Sequence, residues 1–202
     1  MKHLTGVFTI ILCLIVGTGN VYAHSFTVAL IAPSSGANME IGVHVRDGFL
    51  RATRERDSHP NEESDGHLGG LDVYLIPIDA ALEPQRVLTV VEMLLQAQQI
   101  EFIAAVSFSR TEELRRVVAG TKTLFIELGQ NLMSNEKPII SDSNSSVFES
   151  EFRRDFGYEP SQHAMLGYNI ARLIDEAIRR NGEDLSDVEN LGQSLKTVQS
   201  RY

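Results

Sequence analysis

The chain has 202 residues, 43% of them hydrophobic and 22% charged, with a formal net charge of −9 and one cysteine. That length and apolar content suit a single domain with a proper core. The acidic balance repels phosphate backbones and anionic lipid, so neither a nucleic-acid partner nor a membrane-surface partner is expected.

The chain opens with Met1-Lys2-His3, an apolar run through residues 4–16 and the small-residue site Val21-Tyr22-Ala23. This is the pattern of a signal peptide cleaved after Ala23. The run is shorter than the roughly 20 residues of a membrane-spanning helix. Leu12 before Cys13 does not fit lipid attachment, so no stable membrane anchor is expected. Cleavage removes residues 1–23 and the only cysteine with them, which suits an oxidising compartment and excludes disulfides, thiol catalysis and cysteine-based zinc sites. The expected destination is outside the cytoplasm.

After Ser25 the pattern alternates. Residues 26–32 are apolar and β-branched and run into Pro33-Ser34-Ser35-Gly36, a buried strand ending in a turn. Ile41, Val45, Gly48, Phe49 and Ala52 follow at helical spacing, a helix with one buried face. Residues 54–70 are polar and rich in turn formers, a surface loop. Residues 71–79 form a second strand, in which Pro77 marks either an edge position or an early end to pairing. Val87, Val90, Val91, Leu94 and Leu95 give the next helix its stripe. A third strand (102–106), a third helix (112–119) and a fourth strand (123–128) complete an α/β core over 24–128: a mostly parallel sheet with helices on both faces, connected by right-handed crossovers.

At residue 129 the alternation stops. Residues 129–146 have the Asn-, Ser- and Pro-rich composition of a linker. Residues 147–202 supply a helix over 147–156 opened by Ser146 and Glu149, a break at Gly157-Tyr158-Glu159-Pro160, and a long helix over 161–180 closed by Asn181-Gly182. A last short helix is opened by Ser186 and Glu189.

The order of Val28-Ala29-Leu30-Ile31-Ala32-Pro33, Ser34-Ser35-Gly36, Gly42, Arg46-Asp47-Gly48-Phe49, Leu68-Gly69-Gly70-Leu71, Asp79 and Glu83-Pro84 resembles the first lobe of type I periplasmic binding proteins. Within that family it is most similar to the leucine/isoleucine/valine-binding branch that serves ABC transporters. Phe152-Arg153-Arg154-Asp155-Phe156-Gly157-Tyr158-Glu159-Pro160-Ser161, with Gly167-Tyr168 and Ala171-Arg172-Leu173, looks like the helices by which that family returns to the same lobe. The resemblance implies a single Rossmann-like lobe, with 129–146 standing where most of a second lobe would be.

The resemblance also implies where a ligand carboxylate would sit. The first place is the turn Val106-Ser107-Phe108-Ser109-Arg110-Thr111, where backbone N–H groups at a helix start and hydroxyls can hold an anion and Arg110 could add charge. The family's principal carboxylate serine falls on Phe108, between Ser107 and Ser109, and the glycine before the turn is Ala104. Ser109 with Glu112 is equally a capping box, a purely local role. The second place is the end of the fourth strand, where Gly129 and Asn131 match ligand-contacting positions and Asn131 reads as well as a turn residue. Ser35 and Ile41 match first-lobe positions near the ligand, and Ile41 also fits ordinary core spacing.

His59, Glu62, Glu63, Asp65 and His67 crowd one loop, but such a run is usually a solvated surface, and no metal or other cofactor is expected. Asp175 and Glu176 fit ion pairs with Arg172, Arg179 or Arg180. Gly66 to Gly70 precedes a strand rather than following one, so it is not a dinucleotide loop. With no acid, base and nucleophile arrangement, the expectation is a binding protein and not an enzyme. The ligand would be a small-molecule amino acid of the branched-chain type, or a similar anionic solute, and an ABC permease the partner. The alternative is a lobe that has lost ligand trapping and acts as an interaction module, with its exposed cleft face forming a homodimer.

Overall fold

The computed structural model describes residues 25–55, 63–126, 128 and 142–200. The expected signal peptide, most of the 129–146 segment, and both Gly129 and Asn131 lie outside the described residues. The described elements are β1 (Ser25–Ala32), α1 (Met39–Arg54), β2 (His67–Leu68), β3 (Leu71–Asp79), α2 (Pro84–Gln96), β4 (Phe102–Ala105), α3 (Thr111–Val118), β5 (Leu124–Ile126), α4 (Asp142–Phe156), α5 (Gln162–Arg180) and α6 (Val188–Gln199). They make one five-stranded sheet in the order β2-β3-β1-β4-β5. β3, β1, β4 and β5 run parallel, and only the two-residue β2 is antiparallel.

β1 sits at the centre of the sheet and is buried on both faces. Phe26, Val28, Leu30 and Ala32 join one apolar cluster, with α1, α4, α5 and α6. Ala29 and Ile31 join a second cluster, with α2 and α3. This double burial explains why 26–32 reads as a continuous apolar run rather than an alternating one. Phe26, Phe49, Phe102 and Phe152 are all buried to within 2% of full coverage, and each contributes about 1.5–3 kcal/mol of transfer free energy.

Pro77 occupies the edge position. Ala80 N–H donates to Ala32 O, while Val73 N–H donates to Gly66 O and Leu75 N–H to an Asp65 carboxylate oxygen. Alternation therefore turns the Pro77 nitrogen away from β1 and toward the side where β2 has already ended. The strand does not stop early, since Ala32 still pairs with Asp79.

α1 and α5 cross with their backbones in contact. A Cβ on Gly48 would lie 1.8 Å from Ala164 O, and one on Gly167 would lie 1.8 Å from Val45 O. Beside this crossing, His44, Asp47 and Arg51 follow one another at helical spacing along α1, Glu55 continues the row at its C-cap, and together they form a polar seam. Arg51 pairs with Glu151 of α4 and lies 3.6 Å from Glu55 and 3.7 Å from Asp155. The hydroxyls of Tyr158 and Tyr168 donate to Asp47 (2.6 Å) and Glu55 (2.7 Å). Burial, then these hydrogen bonds, raise both tyrosine pKa values above the ordinary 10.0.

Three expected helix starts are corrected. α4 begins at Asp142, inside the segment read as linker, so Ser146 lies within the helix and does not open it. α6 is capped by Asp187, whose side chain accepts from Asn190 N–H, while Ser186 donates to Asp184. α3 has Arg110 at its N-cap position with no side-chain cap, so Ser109 and Glu112 form no capping box. Ser161 does cap α5, accepting from His163 N–H.

Candidate functional site

Where a chain leaves the centre of a parallel sheet first over one face and then over the other, the two departing turns splay apart and open a crevice at the carboxyl ends of the strands. Here α1 leaves β1 toward one cluster, and α2 and α3 cover the opposite face. By that rule the sheet order puts the crevice between the turn after β1 (33–38) and the turn after β4 (106–110), with the end of β3 beside it.

The β1 turn is held from two sides. A Cβ on Gly42 would fall 1.9 Å from Pro33 O, so only glycine lets α1 sit this close under the turn. Asp79, the last residue of β3, accepts at Oδ1 from Ser34 N–H (2.8 Å) and Ala81 N–H (2.9 Å). Partial burial alone would raise its carboxyl pKa, but hydrogen bonds from the Ser35 hydroxyl, the Ser34 and Ala81 amides and the Ser34 hydroxyl outweigh it and hold the value below the ordinary 3.8. Ser34 and Ser35 themselves are exposed. Sequence reasoning gave Asp79 no role, because its contact to Ser34 spans 45 residues.

The β4 turn presents Ser107 and Ser109 to solvent and buries Phe108 in the cluster beneath α3. The Phe108 ring is thus core, and only its backbone borders the crevice. Ser107 has a φ of 55°, a left-handed conformation that favours glycine. The N–H groups of Thr111 and Glu112 start α3 without intrahelical acceptors. Thr111 Oγ1 donates to Phe108 O at 2.8 Å, closing the turn.

Arg110 does not offer its charge to the crevice. Its guanidinium bonds the Glu113 carboxylate and Gln85 Oε1 (3.0 Å). The Arg110 hydrogen bond holds the Glu113 carboxyl below its ordinary value. Ile41 is partly buried and packs on the larger cluster, as its core spacing implies. Ser35 and the 107–111 turn are therefore brought to one end of the sheet.

Among the described residues no three His, Cys, Asp or Glu side chains converge as metal ligands. Of the acidic loop, Asp65 accepts from Leu75 N–H, and His67 lies 2.8 Å from Asp72. His59 and Glu62 lie outside the described residues. Asp175 pairs with Arg172 and Arg179, and Glu176 with Arg180. Asp175 also accepts from Gly69 N–H at 2.7 Å, tying the β2–β3 turn to α5. A separate groove of about 700 Å³ runs between β5 and α6, lined by Leu124, Phe125, Val188, Gln193 and Lys196. Its strand residues lie toward the amino end of the parallel β4–β5 pair, where Leu124 pairs with Phe102 and Phe125 with Ile103, opposite the end from which the 106–110 turn leaves.

The architecture matches solved solute-binding proteins. An ABC-transporter solute-binding protein from R. palustris in complex with benzoate superposes with a TM-score of 0.61 at 10% identity, covering 85% of each chain. The chain has the fold of a periplasmic-binding-protein lobe. The leucine-binding protein LivK from Thermotoga maritima matches at TM-score 0.60 and 11% identity, covering 84% of this chain and 87% of that one. The branched-chain amino acid transporter substrate-binding protein LivJ from Streptococcus pneumoniae, in complex with isoleucine, gives 0.56 and 9%, covering 85% and 87%. No family model matches the sequence, and no curated protein does. Among the described residues no helix is long and apolar enough to cross a membrane.

Proposed function

We propose that this chain is an exported, non-enzymatic solute-binding component of an ABC uptake system, taking a small carboxylate with an apolar body, a branched-chain amino acid foremost. What supports this reading is the fold of a solute-binding-protein lobe with its sheet order reversing between β1 and β4, so that the turns carrying Ser35, Ser107, Ser109 and the first N–H groups of α3 leave the same end of the sheet. The named ligands of two neighbours, benzoate and isoleucine, each combine a carboxylate with an apolar group, isoleucine carrying an α-ammonium as well. Hydroxyls and a helix start suit the carboxylate, with no metal and no free cation required. Residues 1–23 direct export, 24–128 form the core, residues near 129–141 stand in place of a second lobe, and the helices that follow pack on the first.

One wall covers only part of a ligand. If a complete site supplies about −8 kcal/mol and one lobe half of it, the remainder near −4 corresponds to roughly millimolar binding. Calorimetric titration of the mature chain with leucine, isoleucine, valine and benzoate tests the reading. Saturable heat at about millimolar or tighter is expected. No heat with any of them, from a chain that sizes as a dimer, contradicts it.

That second outcome belongs to the other reading, an interaction module whose strand-end face meets a second copy. Met39 at the start of α1 and Leu82 in the turn after β3 favour it, since both are large apolar side chains left exposed, at 51% and 39%, on the strand-end side.

A further inference from the structure

We propose that Asp79 is the positioning residue of the strand-end crevice: from the end of β3 it orders the exposed Ser34–Ser35 turn that faces the Ser107–Thr111 turn. The inference rests on the reading of that crevice as a ligand site and assigns Asp79 no contact with the ligand.

The turn after β1 has little else to hold it. Its serines are exposed, the Ser35 hydroxyl makes no cap to the short helical turn Gly36–Asn38, and Asn38 makes no side-chain cap to α1. Below Pro33 the chain is fixed by the close seat of Gly42. Beyond Pro33 the fixed point is the Asp79 carboxylate, whose Oδ1 collects Ser34 N–H from the neighbouring strand's turn and Ala81 N–H from its own. The ladder supports this placement, because Ala32 pairs with Asp79 and Ala80 N–H donates to Ala32 O, so the two turns leave the sheet side by side.

The chemistry calls for a carboxylate. Each of its oxygens can accept more than one donor; here Oδ1 takes both amides, and the Ser34 and Ser35 hydroxyls add to the pull that lowers the carboxyl pKa. An asparagine keeps one acceptor oxygen but places an NH2 group, which can only donate, where the second oxygen stood. It would satisfy part of the set and leave the turn free to sample other conformations. Apparent affinity then falls in proportion to the fraction of molecules whose turn is correctly placed.

The test compares the full chain with Asp79→Asn by NMR. Without ligand, the amide proton resonances of Ser34 and Ala81 should titrate together with the Asp79 carboxyl in the wild type and lose that step in the variant. Amide exchange at Ser34 and Ala81 should accelerate about tenfold in the variant, with Val28, Leu30 and Leu114 unchanged. With leucine or benzoate as probe, the dissociation constant should rise about tenfold. Uniform acceleration across the sheet, or Ser34 and Ala81 resonances indifferent to the Asp79 carboxyl, overturns the proposal. A local loosening in a chain whose wild type binds neither probe supports the positioning role and sinks the reading of the crevice as a solute site.

Discussion

Replacing Gly48 by alanine probes the contact that seats α5, and the helices joined to it, on the lobe. The added Cβ would stand 1.8 Å from Ala164 O, 2.6 Å from its carbonyl carbon and 2.9 Å from its Cα. All three are backbone atoms of α5, so no side-chain rotation relieves the overlap, and the helices must separate by more than an ångström. Separation opens space beside Val45, Phe49 and Ala164, each completely buried. Overpacking of this kind costs about 1–3 kcal/mol, and the voids that follow add to it. Alanine returns about 0.5–1 kcal/mol through its better helix propensity. The net loss is about 2 kcal/mol or more, a large share of a typical total of about 5–15 kcal/mol. Urea unfolding followed by circular dichroism measures it. Gly192→Ala is the control, because its Cβ would meet only the Leu124 Cδ2 methyl, at 3.3 Å, and its expected change stays within about 1 kcal/mol. Gly48→Ala matching or exceeding that control in stability would refute the direct-contact account of the α1–α5 crossing.

Three further substitutions bear on other parts of the account. Arg51→Met removes the cation shared by Glu151, Asp155 and Glu55, though Asp155 keeps Arg154 and Glu55 keeps the Tyr168 hydroxyl, and should cost about 1–3 kcal/mol; a double-mutant cycle with Glu151→Gln should show strong coupling, and additive effects would dissolve the seam as a unit. Burial raises the Glu101 carboxyl above its ordinary 4.5, against the opposing hydrogen bond from Thr27 N–H. The folded state therefore favours the protonated form, and stability from this group is full below 4.5 and declines as pH rises through the raised value. Glu101→Gln, which keeps an acceptor for Thr27, should raise the urea midpoint at neutral pH and lose that advantage below 4.5, and a variant weaker at neutral pH would contradict this. Ser107→Gly relieves a left-handed conformation and should stabilise by up to about 1 kcal/mol, measured as a melting shift; a loss would mean that the serine side chain itself holds the turn.

Much of the fold is legible because the strongest signals are local or periodic. The double-sided burial of β1 writes itself as an unbroken apolar run, the α5 stripe has its cap at Ser161, and its end at Asn181-Gly182 coincides with a φ of 66° at Gly182. β2 escaped notice because a two-residue strand beside Gly69-Gly70 looks like any loop. The start of α4 escaped because Asp142-Ser143-Asn144-Ser145 has weak helix propensity. The candidate site is legible in place more than in detail. Both strand-end turns could be named, yet the Asp79–Ser34 bond, the Gly69–Asp175 bond and the Arg51–Glu151 pair connect residues far apart in sequence. The neutraliser of Arg110, Glu113, sits one turn inside the helix, where the capping pattern points to Glu112 instead.

Chemical-shift mapping of the full mature chain with millimolar leucine and benzoate bears most directly on the account. Saturable shifts gathered on Ser34, Ser35, Ser107, Ser109 and Thr111 are predicted. Shifts gathered instead on Leu124, Gln193 and Lys196, in the groove beside α6, would contradict it.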